Sequence, residues 1–136
     1  MNTYDVFVVG GGAAGLMAAG AALERGLSVC LFDKNRQLGR KVRITGKGRC
    51  NVTNNCPAEE VVAACPRGGK FLYGALSAFS PQDTMAFFES LGVPLKTERG
   101  RRVFPVSDNA HDIAGALERY AAGATVIREA VTAVLV

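Results

Sequence analysis

Gly10, Gly12 and Gly15 stand in the spacing G-x-G-x-x-G, and Asp33 follows eighteen residues after the last of them. That spacing suits a diphosphate. The first glycine permits a tight turn, the second lets the backbone approach a pyrophosphate, and the third brings a helix hard against a strand. The N-terminus of that helix offers unpaired N–H groups to the phosphates. An acid at the end of the next strand bonds a ribose diol and repels a 2′-phosphate, so Asp33 points to FAD or NAD and away from NADP.

A second group of residues lies just downstream. Lys34, Arg36, Arg40, Lys41, Arg43, Lys47 and Arg49 follow one another with no acid among them, a concentration of charge that an anion would neutralise. The same stretch ends in TGKGRCNVTNNC, residues 45–56, with Cys50 and Cys56 separated by five residues. On a helix that separation turns through about 240°, which puts the two thiols on different faces, although a loop can still bring them together. Gly46-Lys47-Gly48 lacks the distal glycine and the Ser or Thr of a phosphate-binding P-loop. The spacings of Cys30, Cys50, Cys56 and Cys65, with His111 as the sole histidine, fit no zinc site. His111 falls in the first turn of an expected helix and reads as a surface or capping residue.

These residues need an α/β frame to position them. Residues 4–9, YDVFVV, form a short apolar run of the kind buried on both faces of a parallel sheet. Residues 13–25 are rich in Ala, Leu and Met and close on Gly26, predicting a helix with a glycine C-cap. Residues 27–32, LSVCLF, supply a second buried strand, which completes a βαβ unit around the glycine turn. Residues 34–55 show no period and read as a long loop. Short helices are expected over 58–65 and 70–79. Another, with Ser80 as N-cap, Pro81 at the first position and Asp83 in the first turn, should run to Leu91 and stop at Gly92. Residues 93–97 and 102–106 predict an edge hairpin about a charged turn. Ser107 or Asp108 opens a helix with Ile113, Leu117 and Tyr120 on one face, ended by Gly123, and strands follow at 125–128 and 131–136.

From residue 5 to residue 19, DVFVVGGGAAGLMAA, and from Gly26 to Lys34 the chain resembles the N-terminal FAD signature of flavoproteins with the glutathione-reductase-type fold. LGRKVRITGKGRCNVTN, residues 38–54, narrows this: it is similar to the signature of the BaiN-like, aminoacetone-oxidase-like FAD-dependent oxidoreductases. Residues 71–108 resemble that family as well. The resemblance implies a Rossmann-like FAD-binding fold with a parallel sheet, additional helices and a small β-hairpin. It places Gly10, Gly12, Ala13, Ala14 and Gly15 at the FAD pyrophosphate and Asp33 with Lys34 at the adenosine ribose. Gly39, Arg40 and Lys41 come beside the diphosphate, and Gly46, Gly48, Arg49, Cys50 and Asn51 form a loop running towards the flavin ring. Val131 matches the position whose backbone brackets adenine. Only Cys50 of the two cysteines belongs to the family motif, which argues against a flavin disulfide reductase using Cys50 and Cys56.

Members of that family are roughly three times longer, with an inserted substrate domain and a late Gly-Asp segment that this sequence lacks. Together with the apolar ending VTAVLV, this leads us to expect residues 1–136 to be the N-terminal part of an FAD-binding domain. The parent enzyme would pass hydride between a small organic substrate, FAD and NAD(P)H or oxygen. A nucleotide-binding or structural module without turnover is the alternative. The partners expected are the rest of the parent polypeptide and a small molecule. Nucleic acid is disfavoured, because the cations cluster beside the glycine fingerprint and the aromatics have core spacing. No apolar run of membrane-spanning length and no basic, apolar leader is visible, so a cytoplasmic protein is expected.

Overall fold

A computed structural model describes residues 3–135; Met1, Asn2 and Val136 lie outside the described residues. Strand β1 (Val6–Val9) leads through the glycine turn into helix α1 (Ala13–Glu24), and β2 (Val29–Phe32) returns beside β1. The two strands pair in parallel with Val8 opposite Leu31, and β6 (Thr125–Ile127) adds to the other side of β2 with Val126 opposite Leu31, giving the order β1-β2-β6. At the start of the sheet Asp5 and Ser28 lock the register: the Ser28 amide and hydroxyl both donate to the Asp5 carboxylate, at 2.8 and 2.7 Å. Gly26, at φ +75, closes α1 in the left-handed conformation that glycine adopts without strain.

Between β2 and β6 the chain builds the rest of the domain. The stretch expected as a structureless loop holds a short helix α2 (Arg40–Ile44), a tight turn at Thr45–Gly48 and a two-residue strand β3 (Thr53–Asn54). Its lack of period reflects elements too short to show one. Helices α3 (Ala58–Ala64), α4 (Tyr73–Ala78) and α5 (Pro81–Ser90) follow. Helix α5 begins with the capping box that Ser80 and Asp83 foretell: the Ser80 hydroxyl accepts from the Asp83 amide while the Asp83 carboxylate accepts from the Ser80 amide. β4 (Leu95–Glu98) and β5 (Arg102–Pro105) are the expected antiparallel hairpin, but β3 pairs with the other side of β5, so the hairpin belongs to a three-stranded sheet, β3-β5-β4. Helix α6 (Ala110–Tyr120) takes Asn109 as its N-cap instead of Ser107 or Asp108, the Asn109 side chain accepting from the His111 amide.

The core lies on one face of the parallel sheet. Leu16 and Ala19 of α1 share one cluster with Val29 and Leu31 of the sheet and with Ile113, Ala114 and Leu117 of α6, all close to fully buried. Each of the Val, Leu and Ile side chains contributes about 1.5–3 kcal/mol through burial. Helices α1 and α6 approach closely because Gly20 has no side chain: a Cβ there would lie 2.0 Å from the Tyr120 ring. The opposite face of the sheet is covered only in part, by residues 129–134, which line a cleft with Phe7, Val9 and Phe32. Phe7 and Val9 are 59% and 61% exposed, which corrects the expectation that β1 is buried on both sides. Residues 128–135 form no strand; the segment passes over that face as irregular chain. Strand formation there would require a ladder partner, and β6 already ends at Ile127.

Candidate functional site at the mouth of the glycine loop

The glycine loop has the architecture its spacing implies, with each glycine held for a different reason. Gly10 adopts φ +97, which only glycine adopts freely. Gly15 sits against the strand so tightly that a Cβ would fall 1.8 Å from the Gly10 carbonyl oxygen. Gly12, the N-cap of α1, has nothing within 4 Å of where its Cβ would be, and no side chain caps the helix. The first-turn amides at Ala13 and Ala14 therefore open outward with the positive end of the helix dipole behind them.

Gly11, which the pattern treats as a free position, is as constrained as any of the three. Its amide donates to Asp33 Oδ2 at 2.7 Å, its carbonyl accepts from the Gly39 amide at 2.7 Å, and a Cβ would lie 2.4 Å from Leu38. The Asp33 carboxylate also accepts from the Asn35 amide and side chain through Oδ1, at 2.7 and 2.9 Å. Burial pushes this carboxyl up, but the Asn35 and Gly11 amides, with Arg128 nearby, outweigh that and hold it below the usual carboxylate range. The acid foreseen as a ribose acceptor is thus also the strut of the glycine loop. One Oδ2 lone pair stays free for a further donor.

The loop faces a cavity of about 1030 Å³. Gly11, Gly12, Ala13, Ala14 and Asp33 line it, and Arg40 and Lys41 of α2 add two cations to the lining. Thr45, Cys50, Asn51 and Val52 line it too. Apolar side chains of Met17, Phe79, Phe87 and Leu117 also line it, with Thr84 as a polar side chain whose hydroxyl already donates to the Ser80 carbonyl. These apolar positions read in the sequence as ordinary core, and nothing in their spacing marks them as cavity wall.

Other sequence-predicted residues stand elsewhere. Gly10, Gly15 and Gly39 support the loop from behind the wall. Gly39, at φ +64, starts α2 and tethers it to Gly11. Lys34 is not part of the cavity lining. Gly46 and Gly48 shape a left-handed turn, φ +56 and +84, and the close approach at Gly46 is to the Asn51 backbone, 3.0 Å from a notional Cβ. Val131 lines a separate cleft of about 410 Å³ with Phe7, Val9 and Phe32 on the other, partly covered sheet face. Of the basic run, Arg43 is bound structurally, donating to the Leu38 carbonyl, sharing a hydrogen bond of 2.7 Å with His111 Nδ1 and pairing with Glu118.

All four cysteines are free thiols, and Cys50 and Cys56 are both 6% exposed. Cys50 lines the cavity and Cys56 does not. Burial pushes the Cys50 thiol up, against a smaller opposing effect of its hydrogen bond with Thr45, the opposite of what a reactive thiolate requires. Among the described residues no three metal-ligating side chains cluster, and no helix is long and apolar enough to cross a membrane.

A parallel sheet with a glycine loop of this geometry, opening on a cavity at the helix N-terminus, defines a Rossmann nucleotide-binding domain. The model of the HI0933-like protein Rossmann domain matches residues 4–135, and the chain belongs to that family. It is 36% identical over 115 residues to the 3-dehydro-bile acid delta(4,6)-reductase of Clostridium scindens, a match covering 82% of this chain and 27% of that protein. It is 32% identical over 93 residues to the ribosomal RNA dihydrouridine synthase of Escherichia coli, covering 68% and 23%. The chain thus spans about a quarter of the length of these curated relatives. In fold it resembles the crystal structure of Thermovibrio ammonificans THI4, with a TM-score of 0.57 at 20% identity over 91% of this chain and 38% of that one.

Proposed function

We propose that the chain is the FAD-binding domain of a flavin-dependent oxidoreductase. The observation that carries the reading is Gly12: it is open to the cavity at an uncapped helix N-terminus, where any side chain would stand in the way of a diphosphate. The residues fit the cofactor's polar half. The amides of Gly12, Ala13 and Ala14 would receive the pyrophosphate, with Arg40 and Lys41 adding charge-assisted contacts, and Asp33 would offer its free lone pair to the ribose. Cys50, Asn51 and Val52 would wall the cavity beside the loop, and Met17, Phe79, Phe87 and Leu117 would give the flavin ring apolar surface. FAD, when bound, supplies reversible two-electron chemistry, accepting hydride from one molecule and passing it to another.

The full enzyme's substrate is a small organic molecule in this reading, and NAD(P)H or oxygen is the exchanging partner. The relatives' names divide between a bile acid and a ribosomal RNA, so the likeness supports a common nucleotide-binding domain rather than a common substrate. Absorbance of the purified chain after gel filtration in the presence of FAD tests the reading. A flavin spectrum retained with the protein supports it; a colourless chain that binds ADP but not FAD would leave a nucleotide-binding module without flavin.

A further inference from the structure

Arg49 belongs to the family-like motif, and its charge invites a role as an anion contact. The surroundings assign it another. Its Nε and Nη2 both donate to Asp108 Oδ1, at 2.9 and 2.7 Å, and Nη2 also pairs with Glu98. Lys96 completes the group, with Nζ 2.9 Å from Asp108 Oδ2 and 3.3 Å from Glu98 Oε2. Two cations face two carboxylates, so the cluster carries no net charge to attract an anion. The guanidinium lies over the buried ring of Phe104, 4.1 Å from its centroid, which fixes its plane as well as its charge. Arg49 is also absent from the cavity wall, while the two residues after it form part of that wall.

Those two residues need holding. Cys50 has φ +58, a left-handed conformation that a side chain other than glycine adopts only when its surroundings enforce it. The Cys50 amide donates to the Thr45 carbonyl at 3.0 Å. With its amide nitrogen turned towards them, Asn51 donates to the carbonyls of Thr53 and Val103, at 3.0 and 3.2 Å. The β3–β5 ladder anchors the segment after the kink, and the Arg49 cluster anchors it before. Both anchors rest on the same antiparallel sheet, since Glu98 ends β4, Phe104 lies in β5 and Asp108 follows β5.

We infer that Arg49 is a positioning residue: its cluster with Glu98, Asp108 and Lys96 holds Cys50 and Asn51 in the strained backbone kink that faces the cavity. The effect on flavin rests on the proposed function; the effect on Cys50 does not. The test is the rate of iodoacetamide alkylation at each cysteine, resolved by peptide mass spectrometry on the flavin-free chain. Wild type is compared with Arg49→Ala and with Glu98→Gln/Asp108→Asn, which leaves Arg49 in place but removes its partners. Both variants should alkylate Cys50 about tenfold faster through local opening, with Cys30 unchanged. Should Arg49→Ala fail to fold, the double variant gives the same answer. FAD affinity, measured in parallel, should fall in both. Cys50 protection equal to wild type in both variants would overturn the inference, as would FAD affinity that falls in Arg49→Ala and rises in the double variant, the signature of a direct anion contact. Faster Cys50 alkylation without FAD binding by any form would uphold the positioning role and contradict the cofactor reading.

Discussion

The Gly11 amide donates to Asp33 Oδ2 at 2.7 Å, joining the end of β2 to the middle of the glycine loop across 22 positions of sequence. One carboxylate therefore shapes the loop and presents an acceptor to the cavity beside it. Asp33→Ala should cost about 1.5–3 kcal/mol of stability, the range for hydrogen bonds to a charged group, and weaken ADP binding together with FAD binding. Denaturant unfolding and a nucleotide titration on the same variant measure both.

The same carboxylate sets a pH dependence. Its pKa is lower in the folded chain than in the unfolded one, so its contribution to stability is complete above the unfolded value and is lost as pH falls through the folded value. Wild type should lose stability on acidification into the carboxylate range more steeply than Asp33→Asn. Parallel pH profiles of the two would contradict the strut.

Gly12 and Gly15 separate binding from packing. Gly15→Ala drives a methyl into the Gly10 carbonyl and should destabilise the fold by about 3 kcal/mol. Gly12→Ala meets open space, so its unfolding midpoint should stay within about 1 kcal/mol of wild type while FAD affinity drops by about tenfold or more. Isothermal titration beside thermal melts distinguishes the two outcomes.

Much of this was legible in the sequence, and the reasons differ by residue. The βαβ unit and the helix at Ser80 announce themselves because their signals are local: glycine spacing, an apolar run, a cap and a proline. The role of Gly11 was not legible, because it depends on Asp33 and Leu38, which meet it only in the fold. Arg43 and Arg49 looked like free cations for the same reason. Their acids, Glu118, Glu98 and Asp108, lie 49 or more positions away. The exposed face of β1 was missed because an apolar run states that a strand is to be buried, not whether the covering element is at hand.

Arg43 carries a further prediction. It joins α2 to α6 through Glu118 and His111 while donating to the Leu38 carbonyl, so it braces the helix that presents Arg40 and Lys41 to the cavity. Glu118→Gln should lower stability by about 1 kcal/mol, an effect that 0.5 M salt reduces only in part because the guanidinium is mostly buried. Thermal melts at low and high salt give the comparison.

Cys56 should be dispensable. It lies off the cavity wall, so Cys56→Ser should leave FAD affinity unchanged, whereas a bulky alkyl group on Cys50 should block binding. A titration that finds equal loss for both would restore the dithiol reading.

FAD in the cavity at the glycine loop is what the proposed function stands on. Titration of the purified chain with FAD, followed by quenching of flavin fluorescence, tests it most directly. Saturable binding at one FAD per chain, displaced by ADP and weakened by Gly12→Ala, is the expected result. Binding that is absent, or that Gly12→Ala leaves untouched, would contradict it.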